Sequence, residues 1–209
     1  MTGEQFDAGQ LDQFADRIRK SPNKAETAFI EALNKGGEFA RQRGVDKIHS
    51  ELNLTRSYVE KHLQITRQAQ PGDLRTVISG RARPTTLYRY GGDKIATTPA
   101  RSARRKLKGD KRRGIARGQK AAGIQPFRVK RSGSSTKWAG GFIVFLNRGV
   151  SGDGSNVAMA IRTGRGRDDW RVLYGPSVGS AWKNVRRDVN QEALEVVGAE
   201  FQTAFTRIF

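Results

Sequence analysis

KAETAFIEALNKGGEFARQRGVDKIHSEL, residues 24–52, sets Ala25, Ala28, Phe29, Ala32, Leu33, Gly36, Phe39, Ala40, Ile48 and Leu52 at three- and four-residue steps. That is the period of an amphipathic helix. Ser21-Pro22 supplies an N-cap and a first-turn proline ahead of it. A shorter helix is expected over Leu11 to Arg19, and Thr55 opens a third in TRSYVEKHL, where Glu60 sits inside a good helix former. The chain therefore begins with a helical region, 10–65.

Past the turn sequence Pro71-Gly72-Asp73 the pattern changes to short segments rich in β-branched and aromatic residues: LRTVISG (74–80), TTLYRYG (85–91), PFRVKR (126–131), KWAGGFIVFLNR (137–148), NVAMAIRT (156–163) and DWRVLY (169–174). These read as strands. Glycine and aspartate crowd the connections at 149–154 and 164–169, as in hairpin loops, so the strands are expected to be antiparallel neighbours. The helical period returns at the end of the chain, where Trp182, Val185, Val189, Ala193, Val196, Val197, Phe201, Ala204, Phe205 and Ile208 form one stripe. The expectation is one α+β domain, 1–209: N-terminal helices, a central antiparallel sheet over 74–174 interrupted by a long basic arm at 99–125, and a C-terminal helix, 180–207, packed on that sheet.

Charge is segregated along the 209 residues. Residues 1–60 carry nine Lys/Arg against ten Asp/Glu and 176–209 carry four against four, whereas 61–175 carry 26 against six, so the middle alone carries +20 and accounts for the whole net +19. Within it PARSARRKLKGDKRRGIARGQKAAG (99–123) holds Arg101, Arg104, Arg105, Lys106, Lys108, Lys111, Arg112, Arg113, Arg117 and Lys120 with the single acid Asp110. Those ten side chains are the candidate contacts to nucleic acid or to an acidic partner. No aromatic residue lies between 99 and 126, so the segment is equipped to neutralise phosphate and not to stack or read bases.

Site chemistry is sparse. There is no cysteine, hence no thiolate ligand or nucleophile, and only His49 and His62. Both fall on expected helices and read as polar-face or half-buried residues. Gly175-Pro176-Ser177-Val178-Gly179 has the G-x-S-x-G spacing of a nucleophile elbow, but that fold needs a histidine after the serine, and both histidines precede residue 63. Pro176 and Ser177 read instead as the opening of the last helix. Gly109 to Gly114 starts like a phosphate loop, yet Ile115-Ala116 stands where Lys-Ser/Thr is required. Asp73, Asp93, Asp110, Asp153, Asp168 and Asp169 lie mostly in turn contexts, which does not favour a metal pair. No catalytic, cofactor or metal residue is assigned, and a non-enzymatic role is expected. MTGEQFDAGQ lacks a basic n-region and an apolar h-region, and GGFIVFL (140–146) is far shorter than the ~20 residues of a membrane span, so a cytoplasmic origin without a membrane span is expected.

The order of features resembles a known family. ARQRGVDKIHSELNLTRSYVEKHL (40–63) precedes RTVISGRARPTTLYRYG (75–91), then come the basic insert, GGFIVFLNRG (140–149), NVAMAIRT (156–163) and LYGPSVGSAWKNV (173–185) leading into the terminal helix. The series is similar to the minor tail protein Z family of lambda-like phages, the tail completion proteins. Thr55 with Arg56, Arg81 to Pro84, GGFIVFL and Gly175-Pro176-Ser177 carry most of it. The resemblance implies a structural virion protein of the tail and neck, assembled in the host cytoplasm. It would act without catalysis or cofactor at the head–tail junction, as a homo-oligomeric ring of about six copies beside the tail terminator and head–tail connector proteins. In that setting the arm would face DNA in the tail lumen or an acidic neighbour. The composition serves a second class equally well, a stand-alone, sequence-nonspecific nucleic-acid-binding protein such as an RNA-binding or ribosome-associated one.

Overall fold

A computed structural model describes residues 16–94, 128–136, 141–145, 157–166 and 169–208. Helical residues 16–20 (α1) lead into α2, Pro22–Glu51, and α3, Arg56–His62. Among the described residues seven short strands follow: β1 Leu63–Arg67, β2 Val77–Gly80, β3 Thr85–Thr86, β4 Gly141–Phe145, β5 Val157–Arg162, β6 Trp170–Val172 and β7 Tyr174–Gly175. A 3-10 helix, Leu87–Lys94, separates β3 from β4, and α4, Val178–Ile208, closes the chain. The class is α+β, as the alternation of helical and strand periods indicates.

The chain divides into two compact units. The first comprises Met1–Gly44, Leu63–Ser79 and Trp182–Phe209, the second Val45–His62 and Gly80–Ala181.

In the first unit α4 lies antiparallel to α2. The contacts show it: Arg207 pairs with Glu31, Lys35 Nζ stands 2.7 Å from Glu200, and Arg43 Nε stands 2.6 Å from Glu192, so the numbers fall on one helix as they rise on the other. Two glycines set the approach. A Cβ at Gly36 would sit 2.2 Å from Val197 Cγ2, and one at Gly44 would sit 2.6 Å from Trp182 Cζ3. Glycine inside a helix costs about 1 kcal/mol relative to alanine, a cost offset here by burying the opposing side chains. Further along, Ala25, Ala28, Ala204 and Phe205 form a buried cluster with Ile18, Phe201 and Ile208 against it, and the Phe29 and Phe201 rings meet edge to face at 5.6 Å. Trp182, Val185, Val189 and Ala193 are buried, as their stripe predicts. The partner differs from the expectation: α4 packs on the long N-terminal helix, because the small residues of α2 leave room for the large ones of α4.

β1 and β2 form a two-stranded sheet. Arg81 N–H donates to His62 O, and the Thr66 hydroxyl donates to Val77 O, so the strands run in opposite directions. β1 lies where the helical reading extended to 65. LQITR alternates buried and exposed positions at its start, a period of two that ends α3 at His62. Between the strands Pro71-Gly72 makes the expected turn, with Gly72 at φ 77° and Gln70 and Asp73 exchanging backbone hydrogen bonds. Asp73 accepts from Arg75 Nε at 2.7 Å and also pairs with Arg67.

Among its described residues the second unit holds two further sheets in place of one continuous central sheet. β4, β5 and β6 are antiparallel neighbours, with Ile143 opposite Met159 and Ile161 opposite Arg171; β3 pairs with β7. Leu173 divides the expected strand 169–174, since its N–H donates to Met159 O at 2.8 Å while its C=O accepts from Leu87 N–H at 2.9 Å. TTLYRYG is a strand only at Thr85–Thr86. Leu87 and Tyr90 are both buried, and a 3-10 turn brings positions three apart onto one face, where a strand would send them to opposite faces. PFRVKR contributes an isolated bridge, Lys130 to Leu52, within its described part. No helix among the described residues is long and apolar enough to cross a membrane.

Trp182→Ala is expected to lower unfolding free energy by ~3–5 kcal/mol, read from urea denaturation, because it empties the space over Gly44. A wild-type midpoint would show that the indole does not hold this seam. The pair of arginines on Asp73, the Arg75 hydrogen bond first and then the Arg67 charge, holds its carboxyl below the usual carboxylate range. A depressed acid stabilises the fold fully above its unfolded pKa and loses that contribution as pH falls through its folded pKa. Asp73→Asn should therefore flatten the decline of stability between pH 5 and the acid range, read as thermal midpoints against pH.

Candidate polyanion-contacting region

All ten candidate contacts, Arg101 to Lys120, lie outside the described residues, as do Asp110, Asp153 and Asp168. What the structure describes is the pair of stems from which that segment leaves and to which it returns. Both meet Asn53. Its side-chain amide donates to Tyr90 O at 2.5 Å on the outgoing side, and its backbone N–H donates to Val129 O at 2.9 Å on the returning side.

Each stem has its own anchor. Tyr90 is fully buried and its hydroxyl donates to Pro176 O; burial pushes the phenol well above its ordinary pKa, so it stays a neutral donor. On the returning side Arg131 finishes α2. Its N–H donates to Glu51 O at 2.8 Å, and its Nε lies 2.6 Å from His49 O and 3.2 Å from Leu52 O. A helix C-terminus offers unsatisfied carbonyls and a partial negative charge, so a guanidinium there is doubly favoured. Nothing in PFRVKR marks Arg131 for that role, because the carbonyls it meets are nearly eighty residues away in the chain.

The groups weighed for catalysis have structural partners. Ser177 Oγ accepts the Ser180 N–H at 2.9 Å, capping α4 as expected from its position. His49 Nδ1 lies 2.8 Å from Leu54 O, and Arg81 Nη1 lies 3.1 Å from His62 Nε2. The Asp169 carboxylate accepts Gly166 N–H at 2.7 Å inside a turn. Among the described residues no group of three His, Asp or Glu is placed to hold a metal ion. An open groove of about 610 Å³ is lined by Lys35, Glu38, Phe39, Arg41, Gln42, Gln64 and Ile65. Another, about 460 Å³, runs past Gln202, Thr203, Thr206 and Arg207, whose two threonine hydroxyls donate to Ala199 O and Gln202 O of their own helix.

Charge is uneven in the folded part as well. Among described residues the second unit has thirteen Lys/Arg against five Asp/Glu, and the first has thirteen against nine. The excess therefore extends beyond the arm to residues such as Arg81, Arg83 and Arg89, which lie outside the sequence-based contact set. Their signal is legible in retrospect: from Leu74 to Gly92 there are four arginines and no acid.

No family model, no curated protein and no solved structure matches this chain.

Asn53→Ala leaves the buried Tyr90 carbonyl without its amide donor, and a loss of about 1–3 kcal/mol is expected in urea denaturation. Wild-type stability in this variant would mean that the two stems are held independently of Asn53.

Proposed function

We propose that the chain is a non-enzymatic structural protein of a phage tail neck, related to the tail completion proteins, that assembles as a ring and meets polyanion through its basic middle region. One observation carries the reading: the order of features along the chain, a long helix, a basic insert, an antiparallel pair of apolar strands, and a glycine-proline-serine opening of a long terminal helix. The segments behind the resemblance coincide with structural junctions. Thr55 accepts the first turn of α3, Arg81 O accepts Gly179 N–H at 2.9 Å, and Ser177 caps α4. Partners in this reading are further copies of the chain, the tail terminator, the head–tail connector and, through the arm, DNA phosphates. Exposed apolar side chains on several elements, among them Leu194 and Tyr174, are compatible with contacts between subunits.

The purified chain, freed of nucleic acid, should form a closed oligomer of about six copies by native mass measurement, or do so on adding a tail terminator. Each subunit should bury more than ~1,000 Å² against its neighbours. Purified virions should contain the same number of copies. A monomer that carries cellular RNA and is missing from virions would overturn the proposal in favour of a stand-alone nucleic-acid binder.

A further inference from the structure

We propose that the acidic N-terminal residues 1–15 dock along the outer stripe of α4, from Leu194 to Lys183, as a strap on their own chain. The inference concerns the first unit alone and does not depend on the polyanion or virion reading.

Lys183, Arg187, Asn190, Leu194, Gly198 and Phe201 stand three or four residues apart, so helix geometry places them on one face. At the C-terminal end this face is covered: Phe205, four residues on, is buried, and Ile18 packs against the cluster that contains it. Toward the N-terminus the cover stops. Leu194 is 70% exposed, and Lys183, Arg187 and Asn190 are exposed too. Gly36 and Gly44 have a neighbour in the space of the missing Cβ, whereas a Cβ at Gly198 would meet nothing within 4 Å among the described residues. Among those residues neither Lys183 nor Arg187 forms an ion pair, in contrast with Lys35 and Arg43 of the same unit. The acids of α4 lie off the stripe. Glu200 and Glu192 pair with Lys35 and Arg43, and Asp188 and Glu195 fall about 100° round the helix from Arg187 and Leu194. The uncovered run is therefore an apolar step followed by a basic one.

Continuity, reach and chemistry choose the occupant. The chain enters at the covered end of the stripe, because Ile18 is packed there. From Phe205, Leu194 lies ~16 Å along the helix and Lys183 ~33 Å. Fifteen residues span up to ~50 Å, which is enough. Running back from Ile18, the sequence offers Phe14 and Leu11 first, then Asp7 and Glu4, with Asp12 between and no Lys or Arg before Arg17. Apolar side chains thus come to Leu194 and Gly198, and carboxylates to Arg187 and Lys183. Exposed ion pairs are individually weak and screened by salt, but a covalent tether holds the segment at high effective concentration. A nucleic acid would use the cations and leave Leu194 uncovered, which favours the strap. Docking withdraws Leu194 from the apolar surface open to other copies and leaves Tyr174 there.

The chain has no cysteine, so Gln5→Cys accepts a single nitroxide. In the full chain at low salt the label should broaden the NMR amide signals of Lys183 to Leu194, and ~0.5 M salt should remove the effect. Lys183→Glu with Arg187→Glu should abolish the broadening. Adding Glu4→Lys and Asp7→Lys to that variant should restore it, which recovery from a lost fold would not explain; circular dichroism checks helix content in each. A wild-type chain without broadening overturns the inference, as does broadening that the double charge reversal leaves unchanged. Mixing spin-labelled chains with isotope-labelled chains that carry no nitroxide separates the sources: broadening that persists in the mixture assigns the stripe to a second copy and overturns the strap. A 20-bp duplex whose salt slope becomes shallower in the Lys183→Glu, Arg187→Glu variant, in a chain that shows no broadening, gives the stripe to nucleic acid instead.

Discussion

Within the first unit, the close approach of α4 to α2 at Gly36 and Gly44 is the constraint on which the other contacts depend. Val197 and Trp182 occupy the space that a Cβ at those positions would fill. With the helices at that separation Phe29 reaches Phe201, and Ala28 closes on Ala204 and Phe205. The ion pairs of Lys35 with Glu200 and Arg43 with Glu192 lie along the same seam, but their side chains are one-third to one-half exposed, and such pairs contribute about 1 kcal/mol or less each. Burial sets the spacing, and the ion pairs are consistent with the register that Val197 over Gly36 and Trp182 over Gly44 already impose.

This explains which parts of the fold can be read from the sequence. A stripe such as Trp182, Val185, Val189 and Ala193 declares that a helix buries one face, and the structure buries those residues. It does not declare against what. The sheet is the usual answer for a terminal helix in an α+β chain, but the signal that pointed elsewhere was the size of the opposing residues: Ala25, Ala28, Ala32, Gly36, Ala40 and Gly44 are too small to fill a core unless something large faces them. The strand errors have a similar source. Leu63 follows a good helical segment and is apolar at the right step, so period alone carries the helix through it, and only the alternation of LQITR in the next four residues reverses that reading. At Leu87 and Tyr90 the composition is that of a strand, and the decisive fact is nonlocal: Leu87 N–H is taken by Leu173 and the Tyr90 hydroxyl by Pro176.

The candidate site was legible in kind more than in place. A run of ten basic residues with one acid is visible at once, whereas Arg81 is an isolated arginine whose contact, His62, comes from another segment. Asn53 is less visible still. It sits in an ordinary helix exit, ELNLT, and its importance arises because Tyr90 and Val129, thirty-seven and seventy-six residues away, converge on it.

The two units use their cations differently, and the difference bears on function. In the first, Lys35, Arg43, Arg67, Arg75 and Arg207 all meet carboxylates, which cancels most of their reach beyond the Debye length of ~8 Å at physiological salt. In the second, Arg56 does so, but Arg81 meets an imidazole and Arg131 meets backbone carbonyls. Neither of those partners carries a formal negative charge, so no paired carboxylate cancels the charge of Arg81 or Arg131. Such an excess works against a compact state through self-repulsion. A polyanion bound there relieves the repulsion, and because it binds the folded form it stabilises that form by mass action. On this argument the unbalanced charge is a cost to the isolated chain, and under the proposed function polyanion binding would offset it.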